Sequence, residues 1–517
     1  MSSPDSSAAG RVRVLADRPP RPDGEFVLYW MTAARRLRWN HALERAAALA
    51  RELARPLVVL EALSCDYPWA SERHHAFVLQ GMADTARRAA GRPLLYHPYV
   101  EPEPGAGRGL LAALSRHACA VVADDAPHFL YPRLLGAAAR RVDCRLEAVD
   151  SAGLLPIRAA PRALPTAYAF RRFAQAHLKR HLLAPPAADP LAGRGLPRPR
   201  PLPEEIVRRW PGAGEALLAA RPEALARLPV DHGVMPVAAL PGGATAAERL
   251  LDEFLERRLA RYAEERSHPD AEAASGLSPY LHFGHLGVHE IVARLAERER
   301  WSVETLPEGG RGGRSGWWGT SASAEAFLDQ LVIWRELGQH TCALRPDDHD
   351  RWESLPAWAR ATLERHAGDE RPYLYEVDEL AAAATHDELW NAAQRQLVAE
   401  GRIHNYMRML WGKKVLEWSP DPRAALANLL ALNDRWALDG RDPNSECGIF
   451  WCLGRHDRPW APERPVFGLV RYMSSAAARR KLRLSGWLAR WSSADTEVEN
   501  RISSAPWPRR APRPDRR

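Results

Sequence analysis

Cysteine is scarce in this chain. There are six in 517 residues, at 65, 119, 144, 342, 447 and 452, and no two form a Cys-x-x-Cys pair. That excludes a disulfide-stapled secreted scaffold. Cys447 and Cys452, five apart beside His456, fit no zinc template, so no metal is expected. Long apolar runs are missing too, none reaching the roughly 18 residues that a membrane span needs. The beginning, Met1-Ser-Ser-Pro-Asp-Ser-Ser, has no basic segment leading into an apolar core. The expectation is a cytoplasmic protein with no membrane partner. Also absent is a Gly-x-Gly-x-x-Gly after the first predicted strand, which removes the dinucleotide fingerprint.

What the chain has is basic charge and indole. Lys plus Arg number 72 against 64 Asp plus Glu, the sequence pI is near 9.3, and there are 19 tryptophans. A positive balance suits a partner with a phosphate backbone. Part of it sits in Pro506-Trp-Pro-Arg-Arg-Ala-Pro-Arg-Pro-Asp-Arg-Arg517, whose composition predicts a solvated tail. Apolar runs at Phe26–Trp30, Pro56–Glu61, Pro93–His97, Ala118–Ala123 and Arg145–Val149 alternate with helical stretches such as Trp39–Leu53. This predicts a doubly wound parallel sheet covered on both faces. From Ala184 to Pro211 prolines and glycines mark a connector that excludes regular helix. Beyond residue 245 the pattern is helical almost throughout, over 245–265, 286–299, 323–340, 387–399, 403–418 and 423–433. The predicted fold class is therefore α/β plus all-α. Its divisions are a flexible N-terminus (1–22), an α/β domain (23–165), a linker (166–230), a helical domain (231–485) and a basic Pro/Arg-rich tail (486–517). The insert Glu308-Gly-Gly-Arg-Gly-Gly-Arg-Ser-Gly-Trp-Trp-Gly319 lacks the Lys-Ser/Thr ending of a phosphate loop and reads as a flexible surface loop.

Several stretches of the helical half carry chemistry. Ser278-Pro279 predicts a helix start with Ser278 as the cap and Pro279 in the first turn, and free N–H groups at such an end attract phosphate. Asn405, Arg408 and Trp411 fall three apart and are expected on one helix face. Trp411 and Trp418 are seven apart, on one stripe. A tryptophan stripe read alone is ordinary core. Thr385-x-x-Glu388 predicts a capping box ahead of Trp390.

Ser275-Gly-Leu-Ser-Pro-Tyr-Leu-His-Phe-Gly284, His404-Asn-Tyr-Met-Arg-Met-Leu-Trp411 and Leu432-Asn-Asp through Leu438-Asp-Gly-Arg-Asp-Pro-Asn444 together resemble the flavin pocket of the photolyase/cryptochrome family. Thr385-His-Asp-Glu-Leu-Trp-Asn391, Trp411-Gly-Lys-Lys-Val-Leu-Glu-Trp418 and Arg464-Pro-Val-Phe-Gly-Leu-Val-Arg-Tyr-Met473 are most similar to the class II cyclobutane-pyrimidine-dimer photolyases. The likeness spans about residues 25 to 480. It implies FAD held by Tyr262, Ser275, Leu277, Ser278, Asn405, Arg408, Asn433 and Asp439, with Arg408 paired to Asp439 and Asn433 facing the flavin. It implies Trp390, Trp411 and Trp418 as electron-transfer tryptophans. Trp334 and Trp451 would clamp a flipped dimer beside Met409. Where the family has a glutamate one turn before the first wall, this chain has Gln330. Asn405 also departs from the glycine usual in class II. The implied activity is light-driven splitting of dimers in UV-damaged DNA by a monomer. A second, antenna chromophore of deazaflavin or folate type is left open, and so is the alternative of a cryptochrome-like photoreceptor without repair.

Overall fold

The computed structural model describes residues 10–492 together with Arg501 and Trp507. Residues 1–9 and most of the expected basic tail lie outside the described residues. Six strands make one sheet: β1 (Val12–Ala16), β2 (Phe26–Met31), β3 (Leu57–Leu63), β4 (Leu95–Val100), β5 (Ala118–Asp124) and β6 (Arg145–Val149). Their order is β1-β6-β5-β2-β3-β4, with β1 antiparallel to β6 and every other pair parallel. Helices His41–Glu52, Glu72–Ala89, Leu110–His117 and Tyr131–Ala139 make the crossovers. Asn40 and Ser71 cap the first two, accepting from the N–H groups of Leu43 and His74. With both faces covered, every residue of β2 and β5 is buried, which is why these strands read as unbroken apolar runs.

β1 is a correction, because it falls in the segment expected to be flexible. Its side chains are mostly half-exposed, so it lacks the apolar signature of a covered strand. Charge holds it instead. Arg13 pairs with Asp125 at 2.7 Å, and the buried Arg11 reaches Asp150 and the Leu154 carbonyl.

Strand order reverses between β2 and β5, the place where such sheets ordinarily take a ligand. Here the crevice is filled from within. Asp124 Oδ2 accepts from the N–H groups of Thr32, Ala33 and Ala34 at 2.8, 2.7 and 2.9 Å, and the Tyr29 hydroxyl donates to Oδ1 at 2.7 Å. Gly284 seats against the same loop so closely that a Cβ would lie 1.8 Å from the Ala33 carbonyl oxygen. Arg36 Nη1 then donates to the Gly284 carbonyl at 3.1 Å. The sheet's carboxyl edge thus buttresses the end of the Ser275–Gly284 segment.

The linker expected over 166–230 carries regular helix. Helix Ala167–Leu182, capped by Thr166, occupies its start, and a short helix Glu204–Arg209 follows Pro203, where proline precedes the turn and removes no helical bond. The glycine-rich insert is anchored as well. Trp317 and Trp318 are buried, Glu325 accepts from Gly316 and Trp318 N–H, and Gln175 accepts from Gly312 N–H while donating to the Gly313 carbonyl. The two indoles supply the core contact that the glycines conceal. The rest of the helical half includes Val288–Glu299, Ala322–Leu344 with a π-helical turn at Asp329–Trp334, Glu388–Glu400, Asn405–Trp418, Pro422–Trp436 and Pro443–Cys452.

Candidate active site

A cavity of 1720 Å³ opens among these helices. Tyr262, Ser275, Leu277 and Ser278 line one end, Asn405, Arg408 and Asp439 the middle, and Gln330, Trp334, Met409 and Trp451 the remainder. Residues from five chain segments therefore meet in one space.

At the first end the helix Ser278–His282 is a single turn, and Leu277 is its cap. Ser278 is the first helical residue and makes no capping bond. The reason lies one step upstream: Ser275 Oγ accepts from Leu277 N–H at 3.4 Å, and Gly276 turns at φ +74° with Arg402 Nη1 3.2 Å from where a Cβ would stand. That approach and that φ favour glycine. Beside it Arg258 donates Nη1 to the Ala274 carbonyl, while its buried Nε and Nη2 have no hydrogen-bond acceptor among the described residues. Buried cationic donors without acceptors, beside free backbone N–H groups, are a donor set for phosphate.

In the middle, Arg408 Nη2 donates to Asp439 Oδ1 at 3.0 Å and to Asn433 Oδ1 at 2.8 Å. Asn433 is 2% exposed and lies behind this pair, not among the cavity-lining residues. Its Oδ1 also accepts from Ser445 Oγ at 3.1 Å, and its Nδ2 donates to the Gly440 carbonyl at 2.6 Å and Asp434 Oδ1 at 3.1 Å. All four sites of the amide are taken. Asn433 is expected to face the ligand; in this geometry its amide fixes Arg408. Burial pushes the Asp434 carboxyl up to about 7.

Asn405 and Arg408 share the cavity face, but Trp411 turns into the core at 2% exposure. Six residues along a helix of 3.6 per turn lands about a third of a turn away from Asn405. Trp390, not Trp411, is central in the buried indole group. Its ring stacks on Trp411 at 6.2 Å and 5° and meets Trp418 edge-on at 5.7 Å. Trp390 Nε1 donates to the Trp411 carbonyl and Trp411 Nε1 to Gln394, both at 3.0 Å. Asp387 caps the Glu388–Glu400 helix in place of the expected box, while Thr385 Oγ1 donates to Asn391 at 2.7 Å. Sequence reading missed Tyr375 and His386, which close the outer end 5.5 and 5.2 Å from Trp418, with the half-exposed Tyr373 stacked on His386 at 3.6 Å. No helical spacing links these loop residues to Trp418.

Gln330 and Trp334 stand on the π-helical turn, a feature frequent at functional sites. Asp329 beside them is tied to Arg171 at 2.7 Å. Trp451 lies on Pro443–Cys452, with Met409 Cε 3.5 Å from where a Cβ on Gly448 would stand. Sequence reading also missed Lys413 and Arg471, whose cations approach the Trp451 ring at 5.0 and 5.8 Å. The consecutive lysines after Trp411-Gly412 were the available signal.

Cys447 and Cys452 are free and buried. A different trio converges, Cys342, His349 and Glu446. His349 Nδ1 faces both Glu446 oxygens at 3.0 and 3.1 Å, and Arg455 Nη2 lies 3.4 Å from the same carboxylate. The trio reads as an ion-pair network, because a guanidinium stands on its side.

The DNA photolyase family profile matches residues 27–191. A deoxyribodipyrimidine photo-lyase of Methanothermobacter thermautotrophicus is 33% identical over 93% of this chain and 98% of its own length. The chain belongs to the DNA photolyase family. Another relative, the deoxyribodipyrimidine photo-lyase of Oryza sativa subsp. japonica, is 34% identical over 93% of this chain and 90% of its own. A crystal structure of a bacterial class III photolyase from Agrobacterium tumefaciens superposes with a TM-score of 0.64 at 16% identity, covering 94% of each chain, and shares the fold. The profile covers the α/β half, whereas the similarity to the relatives runs through the helices that build the cavity.

Proposed function

We propose that this chain is a light-dependent DNA repair enzyme that splits cyclobutane pyrimidine dimers, with FAD in the helical cavity and features of class II. The observation that carries the reading is convergence. One cavity joins a donor set for phosphate, an arginine–carboxylate pair and two lining indoles, and the helix that lends Arg408 to it also carries Trp411 into a buried indole chain. Full-length similarity to two deoxyribodipyrimidine photo-lyases supports it.

The residues fit FAD. The cavity exceeds the few hundred to about 1,000 Å³ of ordinary ligand sites, leaving room for a dinucleotide and a flipped pyrimidine dimer. FAD bound here in its reduced form would supply the light-excited one-electron donor for ring opening, with no net redox change. The chain's own part is to bind, orient and exclude water. Ser275, Leu277, Ser278 and Tyr262 hold the pyrophosphate and ribityl end, beside Arg258. The Arg408–Asp439 pair, set by Asn433, keeps a fixed positive charge against the ring system. Trp334 and Trp451 stack on the extruded dimer, whose broken base pairing makes it cheaper to flip than an intact pair; photolyases are a standing example of base flipping. Gln330 offers an amide contact in place of a carboxylate. Trp411, Trp390 and Trp418, in that order outward, recharge the flavin.

The test is one preparation. Full-length protein should show flavin absorption, with any deazaflavin or folate chromophore visible as a separate band, and should restore thymines in dimer-containing DNA under light. Colourless protein that takes up no added FAD would sink the reading. Flavin binding and photoreduction with no preference for damaged DNA would favour the photoreceptor.

A further inference from the structure

Two cations stand against the Trp451 ring, one of them buried outside the cavity lining. Lys413, on the Asn405–Trp418 helix, is fully buried, donates Nζ to the Cys452 carbonyl at 2.6 Å and sits 5.0 Å from the centre of the Trp451 ring. Arg471 reaches across that ring at 5.8 Å and across Trp460 at 4.7 Å. Among the described residues no carboxylate lies within ion-pair distance of Lys413, and no cation stacks on the opposite wall, Trp334. The neighbouring Lys414 points away, to Glu417 at 2.7 Å.

A buried ammonium without an acid is unfavourable for the fold. Burial pulls its ionisation from 10.5 down to about 8. The folded protein therefore sheds this proton sooner than the unfolded chain does. The lysine works against stability below about pH 8, and that opposition fades as pH rises from 8 to 10.5. A methionine of similar volume would fill the space without the charge. A fixed charge kept behind one wall of a site serves where opposite charge appears during the reaction.

We propose that Lys413, aided by Arg471, supplies the positive field that stabilises the dimer while it carries the transferred electron, acting through Trp451, on whose cavity face the dimer stacks. This rests on the function proposed above. One electron arrives on the dimer, the two carbon–carbon bonds joining the pyrimidines break, two intact bases result, and the electron leaves. Lys413 keeps its proton throughout and touches no reacting atom, so it is a positioning residue. The groups facing it are the Cys452 carbonyl and thiol, the latter pushed up to about 11 by burial, Asp457 from the following loop, and Arg471. Lys413 is thus the member of this group that loses charge on going from pH 7 to 9.5.

The experiment uses full-length, flavin-loaded enzyme and a thymine-dimer oligonucleotide. Dark binding and ring splitting per absorbed photon at saturating DNA are measured at pH 7 and 9.5, for wild type and Lys413→Met. The expected result is dark affinity within about twofold of wild type, with splitting per photon down roughly threefold to tenfold in Lys413→Met. Wild type should fall by a similar factor at pH 9.5 while the variant stays flat. Weakened dark binding and a lower Tm with unchanged splitting per photon would make Lys413 a packing residue and overturn the proposal. A pH-independent wild-type yield overturns it even if the variant fails to fold. If wild type shows no dark preference for dimer DNA, the proposed function fails too, an outcome separable from the other two.

Discussion

The Asp124 cluster at the sheet's switch point and the helical cavity treat their polar groups in opposite ways. At the switch point of the sheet, three N–H groups that could cradle an anion are satisfied by Asp124, and a tyrosine hydroxyl completes the carboxylate. In the helical cavity Arg258 and Arg335 keep buried donors without acceptors, and Lys413 keeps a charge without a counter-ion. Saturated polar groups stabilise a fold; unsaturated ones mark where something else completes the bonding. The difference is local, since His41 and His128 in the α/β half also keep buried ring nitrogens without partners among the described residues: the Asp124 cluster is built to brace, the helical cavity to bind.

The strongest attack on that contrast is Asp439→Ala. It leaves the Arg408 guanidinium buried with only Asn433, and losing one partner of such a pair is far worse than never having had it. Flavin retained through gentle purification should drop at least about tenfold. Full retention would mean that the pair is structural. Trp411→Phe comes next. Photoreduction of oxidised flavin should stop, while repair by chemically reduced enzyme continues, because recharging and repair use different routes. Unchanged photoreduction in Trp411→Phe, Trp390→Phe and Trp418→Phe alike would reduce the buried indoles to core. On the other side of the comparison, Asp124→Asn removes the charge that the three N–H groups share and, with the amide oxygen kept on them, sets an NH2 against the Tyr29 hydroxyl, which loses its acceptor. It should lower stability by about 2–4 kcal/mol, read as a lower Tm, with flavin content per folded molecule unchanged. Loss of flavin at constant Tm would show that the switch point serves a ligand after all.

How much of this was legible follows the same division. Covered strands announce themselves by apolar runs, and five of six could be placed. β1 could not, because Arg11 and Arg13 fix it through Asp150 and Asp125, partners more than a hundred residues away. Helices in the second half were legible from periodicity, but their faces were not. The six-residue step from Asn405 to Trp411 looks like one face when counted in threes and is not one on a real helix. The surroundings of Asn433 were hidden for a related reason: Ser445, Gly440 and Arg408 close around its amide from separate positions. The π-helical turn under Gln330 and the Tyr375–His386 corner leave no local pattern at all, and the lysine beside Trp451 leaves only a Lys-Lys pair. They arise where separate segments meet.

Trp451→Ala tests the binding half at lower amplitude. Removing a stacking face should cost about 1–3 kcal/mol, a tenfold to hundredfold loss of dimer affinity, with binding to intact DNA unaffected because phosphate contacts dominate there. Equal losses on both DNAs would place Trp451 in the backbone interface instead.

The smallest expected effect is the most discriminating about Gln330. The amide sits on the π-helical turn one turn before Trp334 and lines the cavity, so Gln330→Glu changes one polar contact and leaves both aromatic walls in place. A carboxylate accepts hydrogen bonds more strongly than an amide but cannot donate them. If the dimer offers a donor at that position, affinity and splitting yield should stay level or rise by up to about tenfold, the value of a charged hydrogen bond over a neutral one. If Gln330 instead donates to a carbonyl of the lesion, the carboxylate repels that oxygen and affinity falls by a similar factor. Dark binding and yield, measured side by side on dimer DNA, separate the two directions. A fall would show that this chain reads its lesion through a donor.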